Sequence, residues 1–273
     1  MYLKLRQICL VASDKDQTVT DLADLLGMQP VHGSGDLSAY GLPARGPMSE
    51  GGRKLLAEQG VENLIFGAGP DFLEVLFPLG DDTTSARYLR RRGGDTGYMI
   101  ILQGDDLPHF AALAGAEGVR IVHQARFPTY ADIHLHTKDT GGALLSVARH
   151  LPENEPGGAW YPAGTAWETM EPGPIVEGII AVEIQSEEPK RLAERWGRLL
   201  GISAKVQNES FVLRLDDGEL RFVAAVDGRG EGFSGFDLKI KDRERVEAAA
   251  AARHVPLNGD VLSLCGMRCR LVN

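Results

Sequence analysis

The sequence predicts an α+β protein in which one unit, a strand followed by a helix and three further strands (βαβββ), occurs four times. Each unit begins with alternating apolar residues, followed by apolar residues at helical spacing. Two of the predicted helices end in the same tripeptide, Leu-Leu-Gly, at 25–27 and at 199–201. A segment with four prolines and four glycines, 152–173, separates the second unit from the third.

The first unit contains a long insertion. Its strand is predicted at 5–12 and its helix at 18–28, with Gly27 near the end of the helix, and strands at 63–66 and 71–78 complete it. The insertion, at about 31–60, is rich in Gly, Pro and Ser and includes a short helical piece at 50–59. Such a loop is either a lid over an apolar ligand or a variable surface excursion. The side chains available to a lid are Tyr40, Leu42, Pro43, Arg45 and Met48.

A short amphipathic helix at 83–92 leads into the second unit. This unit has a strand at 97–103, a helix at 107–116 and strands at 119–127, 131–137 and 143–148. The connecting helix ends in Arg90, Arg91 and Arg92. We interpret this basic run as a solvated helix end, where cations interact favourably with the helix dipole.

The third and fourth units repeat the pattern after the linker. The third has a strand at 176–185, a helix at 189–200 with a proline at its start and a glycine after its end, and strands at 204–207, 211–215 and 219–226. The fourth is shorter, with a strand at 235–241, a helix at 242–254 and strands at 261–264 and 267–273. We therefore expect a first domain at 1–150, a linker at 151–174 and a second, shortened domain at 175–273.

Composition and charge exclude several classes of partner. The 273 residues are 43% hydrophobic and 25% charged, as in globular proteins, and the formal net charge is −9. Because an acidic chain is repelled by phosphates, we expect neither nucleic acid nor a membrane as a partner. The three cysteines form no disulfide framework, and no run of about 18 apolar residues occurs. These features predict a cytoplasmic protein.

Two passages carry a resemblance to a known family. In NLIFGAGPDFLEVLFPLGDDTTSARYLRRRGGDTGYMIILQGDD, at 63–106, two apolar strands flank a short helix. In HTKDTGGALLSVAR, at 136–149, a Gly-Gly turn precedes a strand. Together they resemble the vicinal oxygen chelate superfamily, the glyoxalase-like proteins. The resemblance implies four βαβββ modules paired into two glyoxalase/bleomycin-resistance/dioxygenase-like domains, each with a concave sheet whose inner side binds a small-molecule ligand.

The resemblance also implies that the family's chelating positions have changed in this chain. Metal-binding members carry histidines on the first strand of each paired unit and a carboxylate on the last, and these positions fall on Gln7, Met99 and Ser146. Only Glu74 keeps a strong ligand. Because a catalytic divalent site needs about three protein ligands, we expect no metal and no other cofactor. The matching strands of the second domain hold no histidine, which argues against an extradiol dioxygenase.

Glu74 is the candidate catalytic residue. A carboxylate buried among apolar side chains has a raised pKa and could act as a general base. Alternatively, Glu74 pairs with Gln7 or a cation and only satisfies a polar core. If a substrate binds, Gln7 and Ser146 would orient it, and Tyr98 or a histidine could donate a proton. The residues expected to contact the substrate are Gln7, Cys9, Tyr98, Met99, Ile101, Leu144, Ser146, His134 and His136.

The histidines of the second unit admit several interpretations. His134 and His136 are two residues apart on a predicted strand and therefore share a face. They could chelate a metal, flank a substrate or form a polar outer face opposite Ile133 and Leu135, and we favour the outer face. In the family, a histidine at the position of His136 often orders the following turn. His123 is interpreted as a lone core or edge histidine.

One face of the second domain's sheet is predicted to be charged. Alternation at 236–240 turns apolar side chains toward the helices and places Asp237 on the other face. Arg221, Arg268 and Arg270 lie on strands that could share this face. Such a face could bind a carboxylate or phosphate, although one face of an antiparallel sheet commonly meets water. We favour a solvated face or the contact of a possible homodimer.

The sequence therefore predicts a glyoxalase-like protein that binds a small organic molecule in its N-terminal cup. By resemblance, an enzyme of this kind would be a lyase, isomerase or hydrolase that begins with proton abstraction by Glu74. One alternative is a non-catalytic binding or resistance protein that stacks its ligand on aromatic residues such as Trp160, Tyr161 and Trp167 of the linker. A second alternative is a metal-dependent enzyme whose atypical ligands include Glu74 and a histidine of the pair at 134 and 136.

Overall fold

The computed structural model describes residues 1–35, 37–42 and 60–273. Within these residues the strands form two sheets of eight strands each. The helical piece predicted at 50–59, and Pro43, Arg45 and Met48 of the possible lid, lie outside the described residues. No helix in the described ranges is long and apolar enough to cross a membrane.

The first sheet contains the strands of the first two units. The first unit consists of β1 (Leu3–Val11), α1 (Lys15–Leu26), β2 (Pro30–Gly33), β3 (Val61–Ala68) and β4 (Asp71–Pro78). After α2 (Thr84–Arg92), the second unit consists of β5 (Thr96–Gly104), α3 (Leu107–Ala116), β6 (Ile121–Phe127), β7 (Tyr130–Leu135) and β8 (Leu144–His150). The strand order is β2-β3-β4-β1-β5-β8-β7-β6, so the two units meet where β1 pairs with β5. A one-turn helix, Thr137–Thr140, lies between β7 and β8.

The second sheet repeats this arrangement. Its third unit consists of β9 (Val176–Ser186), α4 (Pro189–Leu200), β10 (Lys205–Gln207), β11 (Ser210–Arg214) and β12 (Glu219–Ala224). Its fourth unit consists of β13 (Gly232–Ile240), α5 (Arg243–Ala252), β14 (Leu257–Asn258), β15 (Val261–Leu264) and β16 (Met267–Val272). The order β10-β11-β12-β9-β13-β16-β15-β14 is that of the first sheet. The prediction of an α+β protein with four βαβββ units in two pairs is confirmed.

The glycines predicted to end α1 and α4 do so, whereas α1 begins at Lys15, three residues before its predicted start. The carboxylate of Asp14 accepts the backbone N–H of Gln17 at 2.9 Å and thereby caps α1. Gly27 ends α1 with φ 63, and Gly201 ends α4 with φ 69. This left-handed conformation carries no steric cost for glycine, which explains the shared Leu-Leu-Gly ending.

One apolar core, here called the main core, contains residues of both sheets and of their helices, for example Leu10 of β1, Trp196 of α4 and Phe236 of β13. Tyr40 and Leu42, which the possible lid would use, pack against this core. The sheets also meet through polar groups, since the Asp71 carboxylate accepts the backbone N–H of Ile179 on β9 at 3.0 Å. The two halves of the chain are therefore packed together, not only tethered by the linker.

The face of the first sheet opposite α1 and α3, here called the inner face, carries a second apolar cluster. Cys9, Phe72, Met99 and Ile101 contribute to it from the central strands, and Trp160 joins it from the linker. Their neighbours in sequence, at positions 8, 73 and 100, belong to the main core. The inner face is therefore the side of the sheet on which the sequence predicts the ligand.

Candidate functional site

The strand register brings the predicted site residues together on the inner face. Because β1 pairs in parallel with β4 and antiparallel with β5, Cys9 has Glu74 on one side and Met99 on the other. Gln7 pairs with Ile101 of β5 in the same way. Side chains alternate along each strand, so all five project from one face.

Glu74 is held by amide groups on both of its oxygens. Its Oε1 accepts the side-chain N–H of Asn63 at 2.6 Å, and its Oε2 accepts that of Gln7 at 2.8 Å. Burial raises the pKa of Glu74, while hydrogen bonds from Asn63, Gln7 and the Cys9 thiol limit the rise. The contact with Gln7 and the desolvated carboxylate, considered as alternatives from the sequence, therefore occur together. The side chain is still partly exposed.

Aromatic residues of the linker cover part of the inner face. The indole N–H of Trp160 donates to the side-chain oxygen of Gln7 at 2.7 Å, and Trp160 is fully buried. Trp167 meets the ring of Phe72 edge-on, with 5.1 Å between ring centroids. Tyr161 stacks against the tyrosine at the start of β7. These rings, which the sequence offers for stacking a ligand, thus pack against the protein itself.

A cavity of about 730 Å³ lies beyond Glu74, at one end of the inner face. Val11, Leu76 and Tyr98 form its apolar floor. Leu76 follows Glu74 by two residues on the same face of β4, about 7 Å along the strand. Leu76 and Tyr98 also pack against the inner-face cluster, so the cavity continues that surface. Its walls come from α2, from residues 136–143 and from residues 229 and 231 of the second half.

Tyr98 supplies a hydroxyl group to the floor of the cavity. Burial, reinforced by nearby acidic groups that include Glu74, raises the pKa of Tyr98 to about 12. The ring of Tyr98 meets that of Tyr88 edge-on at 5.3 Å, and the Tyr88 hydroxyl donates to the carbonyl of Gly97 at 2.7 Å. The hydroxyl of Tyr98 is therefore protonated, and the neighbouring Tyr88 fixes the position of its ring.

The walls of the cavity carry an excess of cations. Glu231, the one carboxylate among the described lining residues, accepts the backbone N–H of Gly142 at 3.1 Å and the hydroxyl of Ser186 at 2.8 Å. None of the cations forms an ion pair with a carboxylate in the described part of the chain. Within the described ranges, the cationic lining residues are Arg87, Arg91, Arg92, Lys138 and Arg229.

Two of these cations, the buried Arg92 and the partly buried Arg229, pack against each other across the two halves of the chain. Arg92 donates through Nη1 to the carbonyls of Arg229 and Glu231, both at 2.7 Å, while Arg229 donates through Nε to the carbonyl of Arg92 at 2.7 Å. Burial and the neighbouring Arg92 lower the pKa of Arg229. Carbonyl groups accept several of their N–H donors, but no carboxylate among the described residues forms an ion pair with either guanidinium.

The interpretation of the basic run as a solvated helix end is wrong for its last residue. Arg90 is exposed, but Arg92 is only 8% exposed, and its Nε has no hydrogen-bond partner within the described residues. Arg91 lies over the ring of Tyr88, 5.2 Å from its centroid, and lines the cavity. Helical spacing turns these neighbours in different directions, so a single interpretation cannot describe all three.

The remaining predicted residues lie on β8 and on the turn before it. Leu144 packs against the inner-face cluster, and the Ser146 hydroxyl is buried without a hydrogen-bond partner among the described residues. His136 caps the one-turn helix, since its Nδ1 accepts the backbone N–H of Lys138 at 3.1 Å. His136 also lines the cavity, so it both orders the turn and faces the candidate site.

The outer-face interpretation does not describe His134. His134 lies on the inner face with Asp132, and its Nε2 is 3.0 Å from Asp132 Oδ2. His123 is not a lone histidine either, because its Nε2 is 3.5 Å from Asp132 Oδ1 and its ring centroid is 4.7 Å from that of His134. This cluster could not be predicted from the sequence, because the contact depends on the pairing of β6 with β7.

The charged face of the second sheet consists of ion pairs. Arg221 donates to both oxygens of Asp237 at 2.6 Å, and Arg268 donates to Glu183 at 2.6 and 2.8 Å. Arg270 reaches the same aspartate at 3.8 Å. The alternation thus placed these residues on one face, but their charges are compensated within the protein, unlike those around the cavity.

Comparison with known proteins identifies the fold. No protein-family model matches the chain, and no curated protein matches its sequence. A hypothetical protein from Staphylococcus aureus has a similar structure, with a TM-score of 0.63 at 11% identity over 100% of this chain and 99% of that chain. A triple mutant of 4-hydroxymandelate synthase from Streptomyces coelicolor gives a TM-score of 0.60 at 17% identity over 92% of this chain and 75% of that chain. At these identities, the likenesses show the fold alone.

Proposed function

We propose that this protein, which has the fold of the vicinal oxygen chelate superfamily, binds a small organic anion in the cavity of its first sheet and uses Glu74 as a general base. The observation that carries this proposal is a cavity with an apolar floor and, among the described residues, an excess of cations without ion-pair partners, continuous with the surface that holds Glu74. The reaction class would be that of a lyase, isomerase or hydrolase that begins by removing a proton.

The charge of the cavity supports an anionic ligand. In a chain with a formal net charge of −9, five cations and one carboxylate of the described ranges line a single cavity. Ligand carboxylate or phosphate oxygens would supply the counter-charge that the described part of the chain does not, and charge-assisted hydrogen bonds to Arg are strong and directional. The floor of Val11, Leu76 and Tyr98 would contact the apolar part of the ligand.

The surroundings of Glu74 support proton abstraction. Its raised pKa makes the ionised carboxylate a stronger base than an exposed one. The amides of Asn63 and Gln7 fix its orientation. In the proposed step, Glu74 takes a proton from a carbon next to the ligand's carboxylate or carbonyl group, and the cavity cations stabilise the charge that develops on oxygen. Tyr98 or His136 could return a proton.

The family's chelating positions do not fit a divalent metal in this chain. Gln7 uses its oxygen for the N–H of Trp160 and its own N–H for Glu74. Met99 offers only a thioether, which suits soft metals, and Ser146 replaces a carboxylate with a hydroxyl. We therefore assign no step to a metal at these positions.

A non-catalytic binding protein is the second candidate. Two hydrogen bonds already engage the oxygens of Glu74, and linker aromatics already cover part of the inner face, as in a site that needs only to bind. Glu74→Gln separates the two candidates. If Glu74 is the base, turnover collapses while affinity for the ligand is kept; a pure binding protein shows no turnover to lose.

The anion proposal is tested with pairs of ligands that differ in charge, such as phenylacetate and its neutral amide, phenylacetamide. Titration calorimetry should show that aryl or alkyl carboxylates bind more tightly than the corresponding amides. Arg91→Ala should weaken carboxylate binding about tenfold, which corresponds to about 1.4 kcal/mol. Arg90→Ala is the matched control, because Arg90 donates to the carbonyl of Asp81, away from the cavity. Equal binding of the amides, or equal weakening by the two substitutions, would contradict the proposal.

A further inference from the structure

The hairpin of β6 and β7 brings two imidazoles and a carboxylate together outside the cavity. His123 on β6 pairs directly with His134 on β7, and Asp132 precedes His134 by two residues on the same face. The residue opposite Asp132 is Ala125, whose small side chain leaves room above the strands. Two bound strands thus hold all three side chains in fixed relative positions.

The distances between their donor atoms are those of a partly formed coordination shell. His134 Nε2 is 3.0 Å and His123 Nε2 is 3.5 Å from the Asp132 carboxylate, and all three donor atoms lie within 4.8 Å of one another. In a tetrahedral zinc shell, with bonds of about 2.0–2.1 Å, ligand atoms are about 3.4 Å apart. Small side-chain rotations would therefore bring all three donor atoms within bonding distance of one ion.

We propose that His123, Asp132 and His134 form a binding site for a divalent transition metal such as Zn²⁺. Two imidazole nitrogens and one carboxylate oxygen suit zinc and its first-row neighbours, whereas Mg²⁺ and Ca²⁺ prefer oxygen ligands throughout. Three protein ligands leave a coordination position for water or another molecule. The side chains of His123 and His134 are 41% and 23% exposed, so the position is open to solvent.

Groups outside the cluster orient its carboxylate. The backbone N–H of Ala125 donates to Asp132 Oδ1 at 3.2 Å, and burial, reinforced by the nearby Asp132 carboxylate, raises the pKa of Tyr130. Partners of this kind fix the ligating groups of metal sites and strengthen them as ligands. Asp132 itself is only 6% exposed, so its position in the hairpin is well defined.

This site contains none of the family's chelating positions, although it adjoins one of them. It lies on the last two strands of the sheet order, whereas Gln7, Glu74, Met99 and Ser146 lie on β1, β4, β5 and β8. It nevertheless faces the inner side, since His134 pairs with Ser146, whose buried hydroxyl has no partner in the described residues. The proposal departs from the expectation, drawn from the sequence, that the chain has no metal.

Zinc titration of chelator-treated full-length protein tests the proposal. Calorimetry should show one Zn²⁺ per chain, and replacement by Co²⁺ should give the intense visible absorption of a four-coordinate site. Asp132→Asn and His134→Gln should each weaken Zn²⁺ binding at least tenfold. His109→Gln is the control, since His109 is an exposed histidine on α3, outside the cluster.

The decisive variant is His123→Gln, because His123 is partly exposed on an outer strand and its replacement leaves the core intact. Circular dichroism establishes that each variant is folded before titration. Absence of near-stoichiometric Zn²⁺ binding to the wild type, or binding that survives both His123→Gln and His134→Gln, would overturn the proposal. Carboxylate binding in the cavity is measured with Arg91→Ala, so either proposal can fail while the other stands.

Discussion

Trp160 in the linker and Gln7 on the first strand are joined by a hydrogen bond of 2.7 Å, from the indole N–H to the side-chain oxygen. The amide of Gln7 in turn donates to Glu74 at 2.8 Å. Trp160 of the linker is therefore the first of three side chains that hydrogen bonds connect in series, and the last of them is the candidate base Glu74. A substitution at Trp160 should therefore alter the hydrogen bonding of Glu74, although the two residues are far apart in the sequence.

Trp160→Phe should destabilise the protein by about 1–3 kcal/mol, because it keeps a ring but leaves the buried oxygen of Gln7 without a donor. Urea unfolding measures the loss. Trp167→Phe is the control: the Trp167 N–H donates to the carbonyl of Gly164 at 3.0 Å, at a partly exposed position where water can replace it. Equal losses of stability in the two variants would show that the hydrogen bond from Trp160 to Gln7 stabilises the protein no more than the bond from Trp167 to Gly164.

Glu74→Gln should change how stability depends on pH. Burial raises the folded-state pKa of Glu74 above its usual value of 4.5, so between the two values the folded protein holds more protons than the unfolded chain. Stability then falls as pH rises through this window and stays lower above it. The variant lacks this contribution, so its stability relative to the wild type should improve as the pH rises above the usual Glu74 pKa of 4.5 and then level off once the pH is above the raised pKa.

When the stability of Glu74→Gln is compared with that of the wild type, the contributions of the other titratable groups cancel. Asp71, whose pKa burial raises to about 6, contributes with the same sign in both proteins and cancels in the difference. The altered hydrogen bonds of a glutamine at position 74 add an offset that does not vary with pH. Urea unfolding at a series of pH values gives the difference, and a constant value would contradict the desolvated carboxylate.

Gly97→Ala should destabilise the packing between the two sheets. A Cβ at this position of β5 would lie 2.4 Å from the ring of Phe233 on β13, and an overpacked core typically loses about 1–3 kcal/mol. Gly115→Ala is the matched control, because Gly115 lies in α3 with open space around it, where alanine should add up to about 1 kcal/mol. Thermal unfolding should shift in opposite directions, and a shift in the same direction would argue against this close approach.

Ser146→Ala should leave stability within about 0.5 kcal/mol of the wild type, or raise it, because the Ser146 hydroxyl is buried without a partner. Thr140→Val, nearby on the same segment, removes a hydroxyl that donates to the carbonyl of Ala143 at 2.8 Å and should cost about 1 kcal/mol. Denaturant unfolding compares the two. A large loss in Ser146→Ala would mean that its hydroxyl has a partner in solution.

The sequence was sufficient to predict the repeated units and the inner face of the central strands. Alternation has a fixed period of two, so the apolar positions of β1, β4 and β5 determine which way Cys9, Glu74 and Met99 point. The helix ends were equally predictable, because Gly27 and Gly201 supply a backbone conformation that few other residues adopt. These features depend on residues close together in the sequence.

The features that could not be predicted depend on pairing between distant residues. The partnership of His123 with His134 requires the register of β6 against β7, which shifts between Ile121 and His123. The cationic cavity requires Arg229, which comes from the second half of the chain to lie against Arg92. Local periodicity contains no information about either contact, so neither could be predicted from the sequence.

Deuterium incorporation from solvent tests the central claim most directly. Wild-type protein is incubated in D₂O with α-keto acids and substituted malonates that bind in the cavity, and proton NMR follows loss of the signal from the carbon next to the carboxylate or carbonyl group. We predict exchange that is catalysed by the wild type, abolished by Glu74→Gln and preserved by the control Arg90→Ala. Exchange that persists at the wild-type rate in Glu74→Gln, or no catalysed exchange with any bound ligand, would contradict the assignment of Glu74 as the base.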